Sequence, residues 1–428
     1  MSKSINFVYE WIGPKGPITN NRIPTLADLS HAQYDNKHGS NYDAYVQDPH
    51  VYRMFDSCKI LPVSSIKADT KFLYEINFSG YHYRDWTRIL NDAFAQSDLS
   101  SAVDYGIHKG NGYILLTIPF EGWVHDKMFD MIHYQLNLNN IPPQKLIYVS
   151  NCQNCQEIYQ NYCDRKHIQY KINVEYIPTC RMHLTGVEEP IRNKDNNPYV
   201  PGPRKKDFLC FQRRWSDHRL VFFMSMWKKG LLDNFYMSMA KTQPESGRSY
   251  ESNIRHVASR FPEFEFTSQD IKDSESVLPL TLDTTNFENY PMEKSSFDVE
   301  DYYKNSLINI ISETNFFTPE IHLNEKTYKP IAFKQPFIMM GATNSLQHLQ
   351  DVGFKTFSKW WDESYDTEAD NVKRMKMINN IVEDISDWSE EQKIQFTYEV
   401  KEIVEFNCNH LATMNHPEIT KFEEKYGN

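Results

Sequence analysis

Several segments of this chain carry side chains whose types and spacing suit group transfer. The richest runs from Ile311 to Gly341, ISETNFFTPEIHLNEKTYKPIAFKQPFIMMG. It holds a polar, acidic turn (Ser312, Glu313, Thr314, Asn315), then Asn324-Glu325-Lys326-Thr327, then an apolar run that closes on glycine. The order reads as loop, helix N-terminus, short helix, buried strand and glycine turn. Asn324 suits an N-cap, and Glu325 falls in the first turn, where a carboxylate is favoured by the helix dipole. N–H groups at such a helix start can hold an anion, with the Lys326 ammonium beside them. A neighbouring carboxylate can accept hydrogen bonds from a ribose diol. Together these groups suit a nucleoside diphosphate. The same residues also describe an ordinary capped helix followed by a core strand.

A second cluster lies between Arg204 and Lys229, where eight Lys/Arg stand against two Asp. Phosphates, a nucleic-acid backbone or a solvated face would each account for such a run. Arg213 and Arg214 follow the apolar run FLCF and Gln212, which puts them at a strand end facing the start of a helix near Ser216. A guanidinium fork binds phosphate oxygens bidentately, so this pair suits a leaving diphosphate. No Asp-x-Asp occurs to hold a metal between phosphates. For a general base on an acceptor hydroxyl there are two candidates. Glu121 follows a buried strand in IPFEGW, and Glu10 stands in VYEWIGPKGP; each is also suited to holding its own loop. The Gly13–Pro17 loop lacks phosphate-binding spacing and is read as an acceptor contact. Trp11, Tyr81, Tyr83, Trp86, Trp123 and Trp215 are available for stacking on rings, or for the core.

The Ile311–Gly341 segment resembles the donor element of two-domain GT-B nucleotide-sugar glycosyltransferases, and most nearly that of the α1,3-fucosyltransferases. That family reads E-N-S, a short loop, T-E-K-L, then an apolar strand ending in glycine. Glu313, Glu325 and Lys326 fall on matching positions, while Thr314 replaces the family's Asn and Asn315 stands one place further on. Val149-Ser150-Asn151-Cys152 is similar to a second motif of that family, but the arginine that follows there is displaced, with Arg165 the nearest. The two motifs are also separated by roughly 160 residues, more than in the family. The resemblance implies a GT-B-like fold, with two Rossmann-like domains facing a cleft. It implies a nucleoside-diphosphate sugar (UDP or GDP left open) as donor substrate and no separate cofactor. Glu325 would hold the ribose, Lys326 with Arg213 and Arg214 the phosphates, and Glu313 and Asn315 would surround the sugar. The acceptor hydroxyl would belong to a glycan or to a hydroxymethylated base in DNA, and transfer would be inverting and metal-independent. Tyr9-Glu10-Trp11-Ile12-Gly13, Gly353–Phe357 and Glu363–Asp366 also resemble segments of uncharacterised phage and marine microbial proteins, which implies a host-cytoplasm location if the chain is viral.

The elements that must position these residues follow from apolar periodicity. Hydrophobic residues make up 40% of the 428 and aromatics 14%, enough for packed cores in two or three domains. Strands are expected at Ile5–Tyr9, Lys71–Asn77, Gly112–Ile118, Leu146–Val149 and Val174–Ile177, with helices at Arg84–Phe94 and Met128–Leu136 between them. Such alternation predicts a mostly parallel, doubly wound α/β unit over residues 1–190. The Pro- and Asn-rich stretch 191–206 reads as a linker. A second α/β unit over 207–370 begins with strand Phe208–Phe211 and a helix from about Ser216 to Lys229. Tyr250–Asn305 is polar, with a short edge strand expected near Val277–Leu282. Helices over 371–428 brace the second unit or cross back onto the first.

No run of apolar residues is long enough to span a membrane, and the N-terminus lacks the apolar core of a signal peptide, so an internal, soluble location is expected. The net charge of −11 argues against non-specific binding of polyanions and weakens a DNA acceptor. Seven cysteines, an odd number, are expected as thiols. Cys152-x-x-Cys155 and Cys180-x-x-His183 have the spacing of a tetrahedral zinc site, or are buried thiols. A catalytically silent double-Rossmann binding or assembly protein is the alternative to an enzyme. Oligomeric state is not encoded in any motif.

Overall fold

The computed structural model describes residues 4–8, 58–61, 65–77, 101–118, 124–178, 190–191, 193–195, 197–242, 249–282 and 299–428. The chain forms two compact units, residues 1–182 with 415–428, and residues 183–414. The α/β class and the parallel sheets are as expected. The C-terminal residues 371–428 are shared between the units, with 415–428 in the first.

In the first unit, β1 (Ile5–Val8), β2 (Cys58–Leu61), β3 (Phe72–Asn77), β4 (Gly112–Ile118), β5 (Leu146–Ser150) and β6 (Asn173–Tyr176) form one sheet in the order β2-β1-β3-β4-β5-β6. Every pairing is parallel. Helices α1 (Ser101–His108), α2 (Asp126–Leu138) and α3 (Cys155–Lys166) belong to this unit. Both faces of the sheet are covered, which is why its strands read as continuous apolar runs. Along β5 the burial alternates by partner. Leu146 and Tyr148 pack with Phe129, Ile132, Tyr159 and Tyr162 of α2 and α3. Ile147 and Val149 pack on the opposite face with Ile419, Phe422 and Tyr426.

The second unit has β7 (Lys206–Phe211), β8 (Phe235–Ser238), β9 (Ser306–Ser312) and β10 (Phe337–Met340) in the parallel order β10-β9-β7-β8. Its helices are α4 (Asp217–Lys228), α5 (Tyr250–Arg260), α6 (Ser268–Glu275), α7 (Glu300–Lys304), α8 (Glu325–Ala332), α9 (Ser345–Asp351), α10 (Asn371–Ser386) and α11 (Glu390–Thr413). α8 packs on α11, and α10 packs on α4. The last helix, α12 (Pro417–Tyr426), returns to the first unit, where Tyr426 Oη donates to Glu175 Oε1 at 2.7 Å.

Two expectations need correction. Val277–Leu282 is no edge strand: it reduces to a single antiparallel bridge, Met239 with Leu280, beside the cis Leu278–Pro279 bond. Proline offers no N–H to extend that ladder. The polar stretch after Tyr250 holds two well-capped helices. Ser249 accepts from Ser252 N, and Thr267 with Asp270 closes a capping box at α6. The helix expected at Arg84–Phe94 lies outside the described residues.

Candidate functional site

In the second unit the sheet order, read from β8 to β10, changes direction between β7 and β9. The chain leaving β7 crosses to β8 on one side, and the chain leaving β9 crosses to β10 on the other. Two adjacent parallel strands thus send their following loops apart, which opens a crevice at their carboxyl ends. Arg213 and Arg214 stand just after β7, and Glu313 just after β9. Residues a hundred positions apart in sequence are thereby brought to one place.

On the β7 side, Gln212 is buried, Arg213 is half-buried and Arg214 is exposed. Trp215 turns inward, its Nε1 donating to the Ala240 carbonyl at 2.8 Å, which takes it out of the set of free stacking rings. Ser216 occupies the N-cap of α4 without a side-chain hydrogen bond to the helix backbone, so its hydroxyl takes none of the first-turn N–H groups there. The next residues reach across to β9. His218 Nε2 lies 2.9 Å from the Glu313 carbonyl oxygen and its Nδ1 lies 3.3 Å from Ser216 Oγ. Arg219 is buried; its Nε donates to Ser312 Oγ at 3.1 Å and its Nη2 to the Ser312 carbonyl at 2.9 Å. Burial, helped by the Arg219 charge, holds the His218 imidazole well below its ordinary pKa, so it is neutral.

On the β9 side, Glu313 is fully buried and folds back under the start of α8. Its Oε1 accepts from Asn324 N at 3.2 Å and from Thr327 Oγ1 at 2.5 Å, while Oε2 has no hydrogen-bond partner. Burial raises the Glu313 pKa, opposed by Lys326, Thr327 and Asn324. Asn324 caps α8 as expected, its Oδ1 accepting from Lys326 N at 2.9 Å and from Lys326 Nζ at 3.0 Å. Lys326 Nζ also lies 3.2 Å from Glu325 Oε1. Although burial opposes ionisation, Lys326 and Lys329 bring the Glu325 carboxyl down to about 2. Glu325 is therefore an anion and an acceptor near neutral pH. The expectation that N–H groups at this helix start hold a ligand anion needs revision, because Glu313 and Asn324 already take those of Asn324 and Lys326. The start of α4, which follows Arg213 and Arg214, has no capping side chain and carries Asp217 in its first turn. The start of α9 is likewise occupied: Asp366 accepts from Leu346 N at 2.9 Å and Gln347 N at 3.0 Å.

The loop joining Glu313 to Asn324 is pinned by aromatics. Phe316 stacks on His218, with ring centroids 5.5 Å apart, and the Arg374 guanidinium covers it at 4.4 Å. Arg374 also donates to the Phe316 carbonyl and, at 2.8 Å, to Thr343 Oγ1. Phe317 stacks on Phe261 at 4.7 Å, with Arg260 over both rings. Asn315 Nδ2 donates to the Glu320 carbonyl at 3.3 Å, within the loop itself.

The structure thus groups Glu313, Glu325 and Lys326 around one helix start, with Asn315 in the loop that leads to it and Arg213 and Arg214 across the switch point. Their charges act on one another: Arg214 on Arg219, and Lys326 on both Glu313 and His218. Glu10, Glu121, Trp11, Tyr81, Tyr83, Trp86 and Trp123 lie outside the described residues. Much of the remaining basic run serves the fold, with Lys228 paired to Asp270 and Lys229 to Glu383. Sequence reasoning assigned nothing to His218 and Arg219, which fall at the start of the helix expected from about Ser216. It also passed over Thr327 and Arg374, because their partners are distant in sequence.

Of the zinc candidates, Cys180 and His183 lie outside the described residues. Cys152 and Cys155 are buried; Cys152 Sγ donates to Asn154 Oδ1 at 3.1 Å, and burial pushes the Cys155 thiol up to about 12. Among the described residues, no group of three His, Cys, Asp or Glu is placed to hold a metal, and no helix is long and apolar enough to cross a membrane.

No family model and no curated protein matches the chain. Solved structures that resemble it include a DNA-modifying β-glucosyltransferase determined with and without UDP-glucose, at 10% identity, 99% of this chain, 97% of that chain and a TM-score of 0.41. HepE from Anabaena, in complex with UDP and glucose, aligns at 9% identity over 99% of this chain and 98% of that one, with a TM-score of 0.42. The trehalose-6-phosphate synthase OtsA aligns at 8% identity over 90% of this chain and 82% of its own, with a TM-score of 0.37. Likeness at this level says nothing about substrate or chemistry.

Proposed function

We propose that the chain is a glycosyltransferase that takes its sugar from a nucleoside-diphosphate donor held in the second unit. The observation that carries this reading is the switch-point crevice, with two arginines and an uncapped helix start on one side. On the other side stand a buried, half-partnered carboxylate, an ionised, half-buried carboxylate and a lysine. Glu325 accepts from the ribose hydroxyls. Arg213, Arg214 and Lys326 face the diphosphate and stabilise the charge that grows on it as it leaves. Glu313, buried beneath the start of α8, supports the sugar side of the site, and Asn315 lies in the loop above it.

In the reaction proposed, an acceptor hydroxyl oxygen attacks the anomeric carbon from the face opposite the diphosphate. The carbon–oxygen bond to the diphosphate breaks and its electron pair stays on the leaving oxygen. A carboxylate, Glu121 or Glu10, takes the hydroxyl proton. A single displacement inverts the anomeric centre, and the arginines and lysine supply the charge that a metal would otherwise bring. A glycan hydroxyl and a hydroxymethyl group on a DNA base are the acceptor classes.

Thermal unfolding with UDP, GDP, CMP and dTDP, for wild type and Lys326→Ala, tests the donor site. A ligand at about a hundred times its Kd stabilises by roughly 2.7 kcal/mol. One nucleotide should raise the melting temperature of the wild type, and raise that of the variant less. No shift with any nucleotide overturns the reading.

A further inference from the structure

We propose that Arg219 is a positioning residue for this donor site: it fixes the distance between the Arg213–Arg214 turn and Glu313, and so lets ribose, diphosphate and sugar be held in one register. The proposal rests on the donor-site reading above and adds a residue that would touch no substrate.

Arg219 sits on the first turn of α4, so its backbone moves with the turn that follows β7. Its side chain is bound to the end of the neighbouring strand. Nε donates to Ser312 Oγ at 3.1 Å, and Nη2 to the carbonyls of Ser312 at 2.9 Å and Glu313 at 3.4 Å. Nη1 closes back on the Arg214 carbonyl at 3.4 Å. One rigid guanidinium thus reads both lips of the crevice at once. A lysine, with a single nitrogen on a flexible stem, cannot span these acceptors.

The peptide of Glu313 is locked as a consequence. Its carbonyl faces Arg219 and His218, and its N–H donates to the Met340 carbonyl at 3.1 Å. With both ends taken, the side chain has one way out, toward Asn324 and Thr327. A shift of Arg219 would therefore displace the Glu313 carboxylate and the Arg214 backbone together. A guanidinium placed only to fill space would carry a heavy desolvation cost for nothing. This one is surrounded by carbonyls that belong to the two loops it joins.

The test compares wild type, Arg219→Lys and Ser312→Ala, using the nucleoside diphosphate and monophosphate of the base that stabilises the wild type. Affinities are measured by calorimetry, and hydrogen exchange is followed in ligand-free protein by mass spectrometry. The diphosphate engages both lips of the crevice, whereas the monophosphate leaves its outer phosphate position empty. In Arg219→Lys, diphosphate affinity should fall roughly tenfold, the scale of one misplaced charge-assisted hydrogen bond, with monophosphate affinity little changed. Ser312→Ala should shift the ratio in the same direction by less, and it decides the matter if Arg219→Lys does not fold. Exchange should quicken in 213–216 and 312–316 together, leaving β8 unchanged. An unaltered diphosphate-to-monophosphate ratio in folded variants overturns the proposal. If wild type binds no nucleotide, the donor reading falls. Exchange then still decides whether Arg219 joins the two strand ends, and quickening in one segment alone, or in neither, refutes that joint.

Discussion

Thr327 Oγ1 lies 2.5 Å from Glu313 Oε1, so a hydroxyl on the first turn of α8 secures the carboxylate that ends β9. Without that contact, Glu313 would retain only the Asn324 N–H as a donor. Replacing Thr327 by the isosteric Val should therefore destabilise the second unit by about 1–3 kcal/mol, the cost of leaving a buried acceptor short of its donor. Urea denaturation of Thr327→Val and Thr327→Ser separates the hydroxyl from the methyl: Ser should recover much of the loss.

The buried carboxyl of Glu313 also sets a pH dependence. Burial raises its folded pKa above the unfolded value, so the folded state binds the proton more tightly. Its contribution to stability is present below the unfolded carboxyl pKa, and is lost as pH rises through the folded one. Glu313→Gln has no such proton. Relative to wild type, it should gain stability as pH rises above 4.5, as read from the difference of the two denaturation curves at each pH. A constant difference would show that Glu313 titrates normally.

Histidines act in the opposite direction. Burial lowers the His348 pKa to about 4 and the His218 pKa well below its ordinary value, so the unfolded chain takes up protons first as pH falls. Stability should drop from about pH 6.5 toward pH 4. The His348 share is on the order of 3 kcal/mol, since each pKa unit is worth 1.36 kcal/mol. The drop should be shallower in His348→Gln.

Phe316 sits between the His218 ring and the Arg374 guanidinium and is fully buried. Phe316→Ala should cost about 3–5 kcal/mol and free the Glu313–Asn324 loop. Faster proteolysis within 314–323 at temperatures below global unfolding would register that release.

Arg214 is exposed, and no side chain pairs with its guanidinium among the described residues. Arg214→Ala should leave stability within roughly 0.5 kcal/mol of wild type while weakening nucleotide diphosphate binding. An equal loss of stability and binding would assign Arg214 to the fold instead.

The sequence by itself determined what depends on neighbours along the chain. Apolar runs gave β4, β5 and β7; the Asn324 cap and the Glu325 first turn gave α8; the stretch from about Ser216 to Lys229 gave α4. These signals are local because a helix start or a buried strand is fixed by residues within a few positions of one another. The strands β2, β8 and β9 were missed; β9 (SLINIIS) is buried along its whole length and shows no alternation, which periodicity alone does not assign to a strand. Tertiary structure decided everything that rests on strand order. It put β7 beside β9, joined Arg219 to Ser312 across 93 positions, sent α12 back to the first unit, and buried Glu313. No local pattern encodes these relations. Register and burial come from which surfaces exclude water together, and that is settled only when the whole sheet has packed.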